Sequence, residues 1–296
     1  MARKILARKI SAHKTASASR NLPLKRFRGT LVLLGAGKMG GAMLDGWLAR
    51  GLDPKRVVVL DPKPGKNIKA LTRRGLKLNP KQNGKKPMQA TALVIAVKPQ
   101  VAADTLPAVR PMIGRGTLVL SIMAGRTLGF LAEHAGNGAA LVRAMPNTPA
   151  AIGRGITVAV PARGVSATQR KLTTDLLAAT GAVEWVKDES LMDAVTAVSG
   201  SGPAYVFLLA ETLARAGAAA GLPAPLAERL ARATVAGSGE VLHQSPLGAD
   251  VLRQNVTSPG GTTAAALAVL MADPGMAGLM ARAVEAAAKR SRELAG

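Results

Sequence analysis

The sequence predicts an α/β protein: an N-terminal doubly wound Rossmann-type domain followed by an all-α dimerisation domain. Three observations predict it. Residues 31–46 read LVLLGAGKMGGAMLDG, a short apolar run, a glycine turn and a helical repeat in that order. Six further apolar runs follow before residue 190, with stretches of helical spacing among them. From Ser190 onward the two-residue period disappears and only helical spacing remains.

The opening unit has the strand–turn–helix context that a dinucleotide fingerprint requires. In Gly35-x-Gly37-x-x-Gly40, Gly35 permits the tight turn and Gly37 lets backbone approach a pyrophosphate with no Cβ in the way. Gly40 lets the helix lie close to the strand, and unpaired N–H groups at the helix start favour an anion. The second strand, 56–60 (RVVVL), ends at Asp61, about twenty residues beyond the glycines. There an acid contacts a ribose 2′-hydroxyl in folds of this kind. Lys63 and Lys66 follow at once and would favour a 2′-phosphate instead, so the choice between NADH and NADPH stays open.

Further strands are expected at 91–97, 117–122, 141–144, 156–160 and 182–186, and helices at 101–109, 127–134 and 167–179. Strands alternating with helices imply a mostly parallel sheet, whose ligands sit beyond the carboxyl ends of the strands. That rule selects 35–40, Asp61, 97–99, 123–125 and 145–148 as cofactor-facing. In the second half, Leu191, Ala194, Val195 and Val198 share a helical face that Gly200-Ser201-Gly202 is expected to stop. Pro203 suits the first position of the next helix, which Gly221 and Pro223 end, and Pro225 opens another. Asp273-Pro274 reads as the cap and first residue of the last helix. These helices are rich in Ala and Gly, and their apolar breadth exceeds what one small domain needs to cover itself, which predicts a subunit interface, with a large monomeric bundle as the alternative. The expected organisation is a basic, disordered extension over 1–28, a dinucleotide-binding domain over 29–164 and a mainly helical domain over 165–296.

A chain of 296 residues has ample core for two domains. It contains no cysteine, which excludes disulfides, thiolate metal sites and cysteine nucleophiles. Its three histidines, His13, His134 and His243, are too scattered to suggest a metal cluster. No apolar run reaches the roughly 18–20 residues that span a bilayer. The formal net charge is +23, and residues 1–28 supply nine cations and no acid. That segment reads first as a plain extension, with a mitochondrial-type targeting sequence or a basic arm as the alternatives. Six aromatic residues in the whole chain leave no evident platform for stacked bases, so no specific nucleic-acid partner is expected.

Residues 255–267 read NVTSPGGTTAAAL. Ser258-Pro259 breaks the preceding helix, Gly260-Gly261 leaves N–H groups unobstructed, and Thr262 or Thr263 is placed to cap a helix starting near Ala264. Several N–H donors around a helix N-terminus suit a carboxylate, although a helix–loop–helix joint with a threonine cap has the same spacing.

Taken together, these motifs resemble the pyrroline-5-carboxylate reductases. GAGKMG (35–40), AVKPQ (96–100), SIMAG (121–125), RAMPNTPA (143–150), DAVTAVSGSGPAYVF (193–207) and VTSPGGTT (256–263) occur in the family's order along nearly the whole chain after residue 28. The resemblance implies NAD(P)H-dependent reduction of 1-pyrroline-5-carboxylate to L-proline in the cytoplasm, or in the mitochondrion if 1–28 is a targeting segment. It implies a homodimer through the helical domain and a ring of dimers. By motif, the substrate carboxylate lies against Gly260, Gly261, Thr262 and Thr263, with Asn255, Ser258 and Glu189 nearby, and Thr263 directs its hydroxyl at the imine nitrogen. The cofactor falls to Gly35, Gly37, Lys38, Met39, Gly40, Asp61, Asn83, Ala96, Val97, Lys98, Pro99, Met123, Ala124 and Gly125. A protonated imine already accepts hydride, so neither a metal nor a histidine base is required.

Two rival readings remain. A β-hydroxyacid dehydrogenase needs a lysine on the first long helix of its second domain, and 190–198 and 203–220 contain none. A polyanion-binding protein on a retired dehydrogenase fold would have no reason to keep GAGKMG and SPGGTT.

Overall fold

The computed structural model describes residues 22–81, 88–136 and 138–295. Asn83 lies outside the described residues. Eight strands form one sheet in the order β3-β2-β1-β4-β5-β6-β7-β8. These are β1 (Leu31–Leu34), β2 (Val57–Leu60), β3 (Lys77–Leu78), β4 (Ala92–Ile95), β5 (Leu118–Ser121), β6 (Ala140–Met145), β7 (Gly155–Pro161) and β8 (Gly181–Trp185). Every pair is parallel except β6–β7. β1 and β4 read as unbroken apolar runs, and β5 as one up to Ser121, because helices cover both of their faces, and every residue in them is buried. At the far edge β8 alternates half-buried and exposed residues.

The connecting helices are α1 (Lys38–Ala49), α2 (Lys66–Leu71), α3 (Ala102–Val109), α4 (Leu128–Ala135) and α5 (Ala167–Leu177). Thr127 caps α4 by accepting from Phe130 N at 3.1 Å, and Ser166 and Gln169 form a capping box on α5. Trp47 of α1 is fully buried and donates its indole N–H to Leu176 O of α5 at 2.8 Å, which fastens the two helices across one sheet face. The strand β3 and helix α2, both short, are additions to the expected elements.

Two expected boundaries move. Residues 22–28 are built into the first domain rather than an extension: Leu24 and Phe27 are buried in the core with Trp47 and Leu52, and Leu24 N bonds Arg50 O at 3.1 Å. The helical domain begins near Glu189 and not at 165, because β8 pairs with β7 and α5 packs on the same sheet.

The second domain comprises α6 (Met192–Val195), α7 (Gly202–Ala219), α8 (Ala224–Gln244), α9 (Ala249–Asn255), α10 (Thr262–Leu270) and α11 (Met276–Ala295). Gly200-Ser201-Gly202 does not stop a helix. Thr196–Gly200 widens into a π-turn, Ser201 keeps helical dihedrals, and the chain runs on into α7. Asp273-Pro274 does not cap α11 either; Gly275 O accepts the first helical bond, from Leu279 N. The pair α7–α8 packs closely where Gly217 faces Ala227. Helix α11 returns to α6, where Ser291 Oγ donates to Asp193 Oδ1 at 2.6 Å.

Candidate active site

The strand order reverses between β1 and β4, and the glycine turn lies at that switch point. Gly35 has φ +89°, and a Cβ there would stand 2.8 Å from Ala96 O. A Cβ at Gly40 would collide with Gly35 O, so this glycine is what lets α1 start against β1. Around Gly37 nothing lies within 4 Å of where a Cβ would be, which leaves its backbone open to a ligand. Gly37 is the cap residue of α1 and no side chain caps the helix. The first N–H groups of α1 therefore face outward, beside a cleft of about 580 Å³ lined by Ala36, Gly37, Lys38, Gly41, Asn67 and Ala150. A bare helix N-terminus at a glycine turn suits a pyrophosphate, so the residues present fit a dinucleotide.

The other cofactor-facing segments are gathered at the same edge. Asp61, directly after β2, accepts from Ala36 N at 2.7 Å and from Lys63 N at 2.8 Å. The turn Ala96–Pro99 follows β4, and Met123–Gly125 follows β5. Arg126 ties these two turns together by donating twice to Pro99 O, at 3.2 and 3.0 Å, while its guanidinium lies over the Phe130 ring. Met123 itself is buried in the core, which leaves its backbone as the part available to a ligand. The far end of α11 reaches this edge too, because a Cβ on Gly125 would lie 3.3 Å from Leu294 O.

Glu189 stands where the domains meet. Its Oε1 accepts from Arg143 Nη1 and from Leu128 N, both at 2.8 Å. Arg143 belongs to the interior strand β6 and its side chain is 5% exposed, against 29% for Glu189. One carboxylate thus neutralises a buried guanidinium and supplies an acceptor to the start of α4. Local pattern did not single out Arg143. Its sign is a lone charge in the apolar run ALVRAM, which burial requires to be paired.

The segment 255–263 is elsewhere. Asn255, Ser258, Gly260 and Thr262 are exposed, and Gly261 and Thr263 are half-buried. Gly260 turns with φ +67°. Gly261 is the cap residue of α10, with no side-chain cap, so Thr262 and Thr263 are the first helical residues and not the caps their spacing suggested. The helix start is open, as at α1. The hydrogen bonds given for this segment stay local: Thr257 Oγ1 to Arg253 O, Gly261 N to Ser258 O and Ala265 N to Gly261 O. None of them reaches the sheet domain, so within one chain the loop and the nucleotide cleft are not joined by a hydrogen bond among the described residues.

Most apolar side chains that remain exposed are in the helical domain. Val206, Phe207, Ala210 and Ala214 of α7 and Val235 of α8, with Ile152 from the sheet domain, line a groove of about 890 Å³.

The family model for pyrroline-5-carboxylate reductase dimerisation matches residues 189–294, and the model for NADP oxidoreductase, coenzyme F420-dependent, matches 30–125. The pyrroline-5-carboxylate reductase of Pisum sativum is 37% identical over 274 residues, covering 92% of this chain and 98% of that protein. The Pseudomonas aeruginosa enzyme of the same name is 36% identical, covering 90% and 96%. Among solved structures, the reductase from Coxiella burnetii superposes with a TM-score of 0.82 at 31% identity, covering 90% of this chain and 99% of that one. The Plasmodium falciparum pyrroline carboxylate reductase, solved with NADP bound, gives 0.74 at 30% identity, covering 91% and 99%.

Proposed function

The chain belongs to the pyrroline-5-carboxylate reductase family, and on that premise we propose how its residues divide the reaction between them. It is an NAD(P)H-dependent oxidoreductase that reduces the C=N bond of 1-pyrroline-5-carboxylate to give L-proline, the last step of proline biosynthesis. When bound, the reduced nicotinamide supplies the hydride.

The protein's own work is positioning. The open start of α1, over Gly37, Lys38, Met39 and Gly40, holds the pyrophosphate; Asp61 and the turns Ala96–Pro99 and Met123–Gly125, at the carboxyl ends of their strands, take the rest of the cofactor. Asn83 joins them from the family resemblance. The observation that carries the substrate reading is the uncapped start of α10 behind the Gly260 turn. Its N–H groups, at the positive end of the helix dipole, take the substrate carboxylate. Thr263, on the first turn, has its hydroxyl free to accept from the protonated imine nitrogen and so orient the ring. It is too weak an acid at neutral pH to do more. Asn255 and Ser258 flank the carboxylate, and Glu189 borders the substrate while held in place by Arg143.

Because the loop's bonds stay inside the helical domain, we place it over the nucleotide cleft of a second subunit. The exposed apolar face of α7 and α8 forms the homodimer, the dimers close into a ring, and the enzyme works in the cytoplasm. Loss of reduced-nicotinamide absorbance on mixing with 1-pyrroline-5-carboxylate tests the reaction. Thr263→Ala tests the site. Its turnover is expected to fall about tenfold, the rate equivalent of one hydrogen bond, with assembly unchanged. Undiminished turnover removes Thr263 from the site.

A further inference from the structure

We propose that Asp61 makes this chain an NADH-preferring enzyme: a fixed carboxylate at the carboxyl end of β2, bonded to the glycine turn, accepts ribose hydroxyl groups and rejects a 2′-phosphate. The inference rests on the nucleotide reading of the glycine turn given above.

The sequence left an acid and two lysines in opposition at this point, and the structure separates them. The carboxylate is held from both sides. Its Oδ2 takes the Ala36 N–H of the glycine turn at 2.7 Å and its Oδ1 takes the Lys63 N–H at 2.8 Å. The Asp61 backbone is clamped as well. Its N–H donates to Asn79 Oδ1 at 2.9 Å, and Asn79 Nδ2 donates back to Asp61 O at 2.8 Å. Asn79 holds the left-handed conformation, φ +45°, and is itself fixed by its N–H on Val59 O at 2.9 Å. Swinging the carboxylate aside would leave Ala36 N without its partner.

A carboxylate has about four acceptor positions, and two are used here. The remaining two suit the hydroxyls of a ribose, which bring protons. A phosphate monoester at neutral pH brings nearly two negative charges and only acceptor oxygens. Against it stand Lys63 and Lys66, which are exposed and whose ammonium groups have no ion pair among the described residues. To offset the carboxylate they would have to be ordered from solvent, at the cost of side-chain entropy and against salt screening. The fixed charge prevails over the mobile ones.

The test is equilibrium binding to the assembled protein without imine substrate, read by nicotinamide fluorescence at about 0.15 M salt, where long-range attraction by the basic surface is screened. NADH is expected to bind at least about tenfold more tightly than NADPH. Asp61→Asn keeps the shape and one acceptor for Ala36 N but removes the charge. In that variant NADPH is expected to tighten about tenfold, while NADH weakens by a smaller factor. Competition by ADP-ribose against 2′-phospho-ADP-ribose on the unaltered protein gives the same ratio should the variant fail to fold. NADPH binding as tightly as NADH, or an unchanged ratio in Asp61→Asn, overturns the inference and leaves the reductase reading standing. Binding of neither nucleotide overturns both.

Discussion

The two domains treat apolar residues in opposite ways. In the sheet domain Trp47, Leu31, Leu93 and Leu118 are buried to within a few per cent. In the helical domain Val206, Phe207 and Leu208 are 47%, 68% and 55% exposed, and α7 and α10 contain no buried residue. The difference follows from architecture and not from composition. A sheet covered by helices on both faces makes two cores within one chain, whereas a pair of antiparallel helices can hide only the seam between them. Apolar surface left open in this way is what a partner subunit stabilises by covering it. The sheet domain is complete by itself, and the helical domain is half of something.

The strongest way to break that comparison is a charge on the open face. Phe207→Glu is expected to convert the assembly to monomers, seen by sedimentation velocity, and to lower turnover about a hundredfold or more, as misplacement of a reacting group does. Nucleotide affinity should stay within about threefold of the parent, because the glycine cleft lies wholly in the sheet domain. An active oligomer with glutamate at 207 would show that this face is not the interface.

A smaller effect is expected where the halves are joined. Arg143→Met leaves the Glu189 carboxylate without its cation and is expected to cost about 3 kcal/mol in urea unfolding, since a half-removed pair strands a charge. Adding Glu189→Gln should return part of that loss, because the amide can still accept from Leu128 N. Additive losses in the double variant would mean that the two side chains act independently.

These contrasts also explain what the sequence made legible. Strands buried on both faces leave uninterrupted apolar runs, so β1, β4 and β5 are visible from local pattern, as is the glycine turn between β1 and α1. The two-residue β3 is too short to carry a period. Leu24 and Phe27 sit in a segment whose lysines and arginines conceal them. The helices of the second domain are legible, as is the α7–α8 joint at Gly221 and Pro223, but two other joints are not. Glycines at 200 and 202 suggest a stop, yet Thr196–Gly200 widens into a π-turn and the helix runs on, and threonines that look like caps follow an uncapped Gly261. Arg143 and Glu189 lie 46 residues apart, beyond the reach of any local spacing rule. The nucleotide half of the proposed site is written in consecutive residues after each strand. The position we propose for the 255–263 loop depends on assembly, which no run of residues encodes.

The mildest probe bears on the same junction. Glu189 begins a short 3₁₀ turn capped by Asp188, whose Oδ1 accepts from Ser190 N at 2.9 Å. That backbone hydrogen bond, with a second from the Ser190 side chain, holds the Asp188 carboxyl below its ordinary range. Because the folded value lies below the unfolded one, the contribution is present above about pH 4 and is lost as pH falls through the folded value. Asp188→Asn should therefore be less stable than the parent in urea at neutral pH, and the gap should close on acidification below about pH 4. The group is fully exposed, so this difference is expected to be the smallest of the series. A gap that is constant from neutral to acid pH would mean that the cap acts through its shape alone, and that charge plays no part in holding Glu189 at the domain junction.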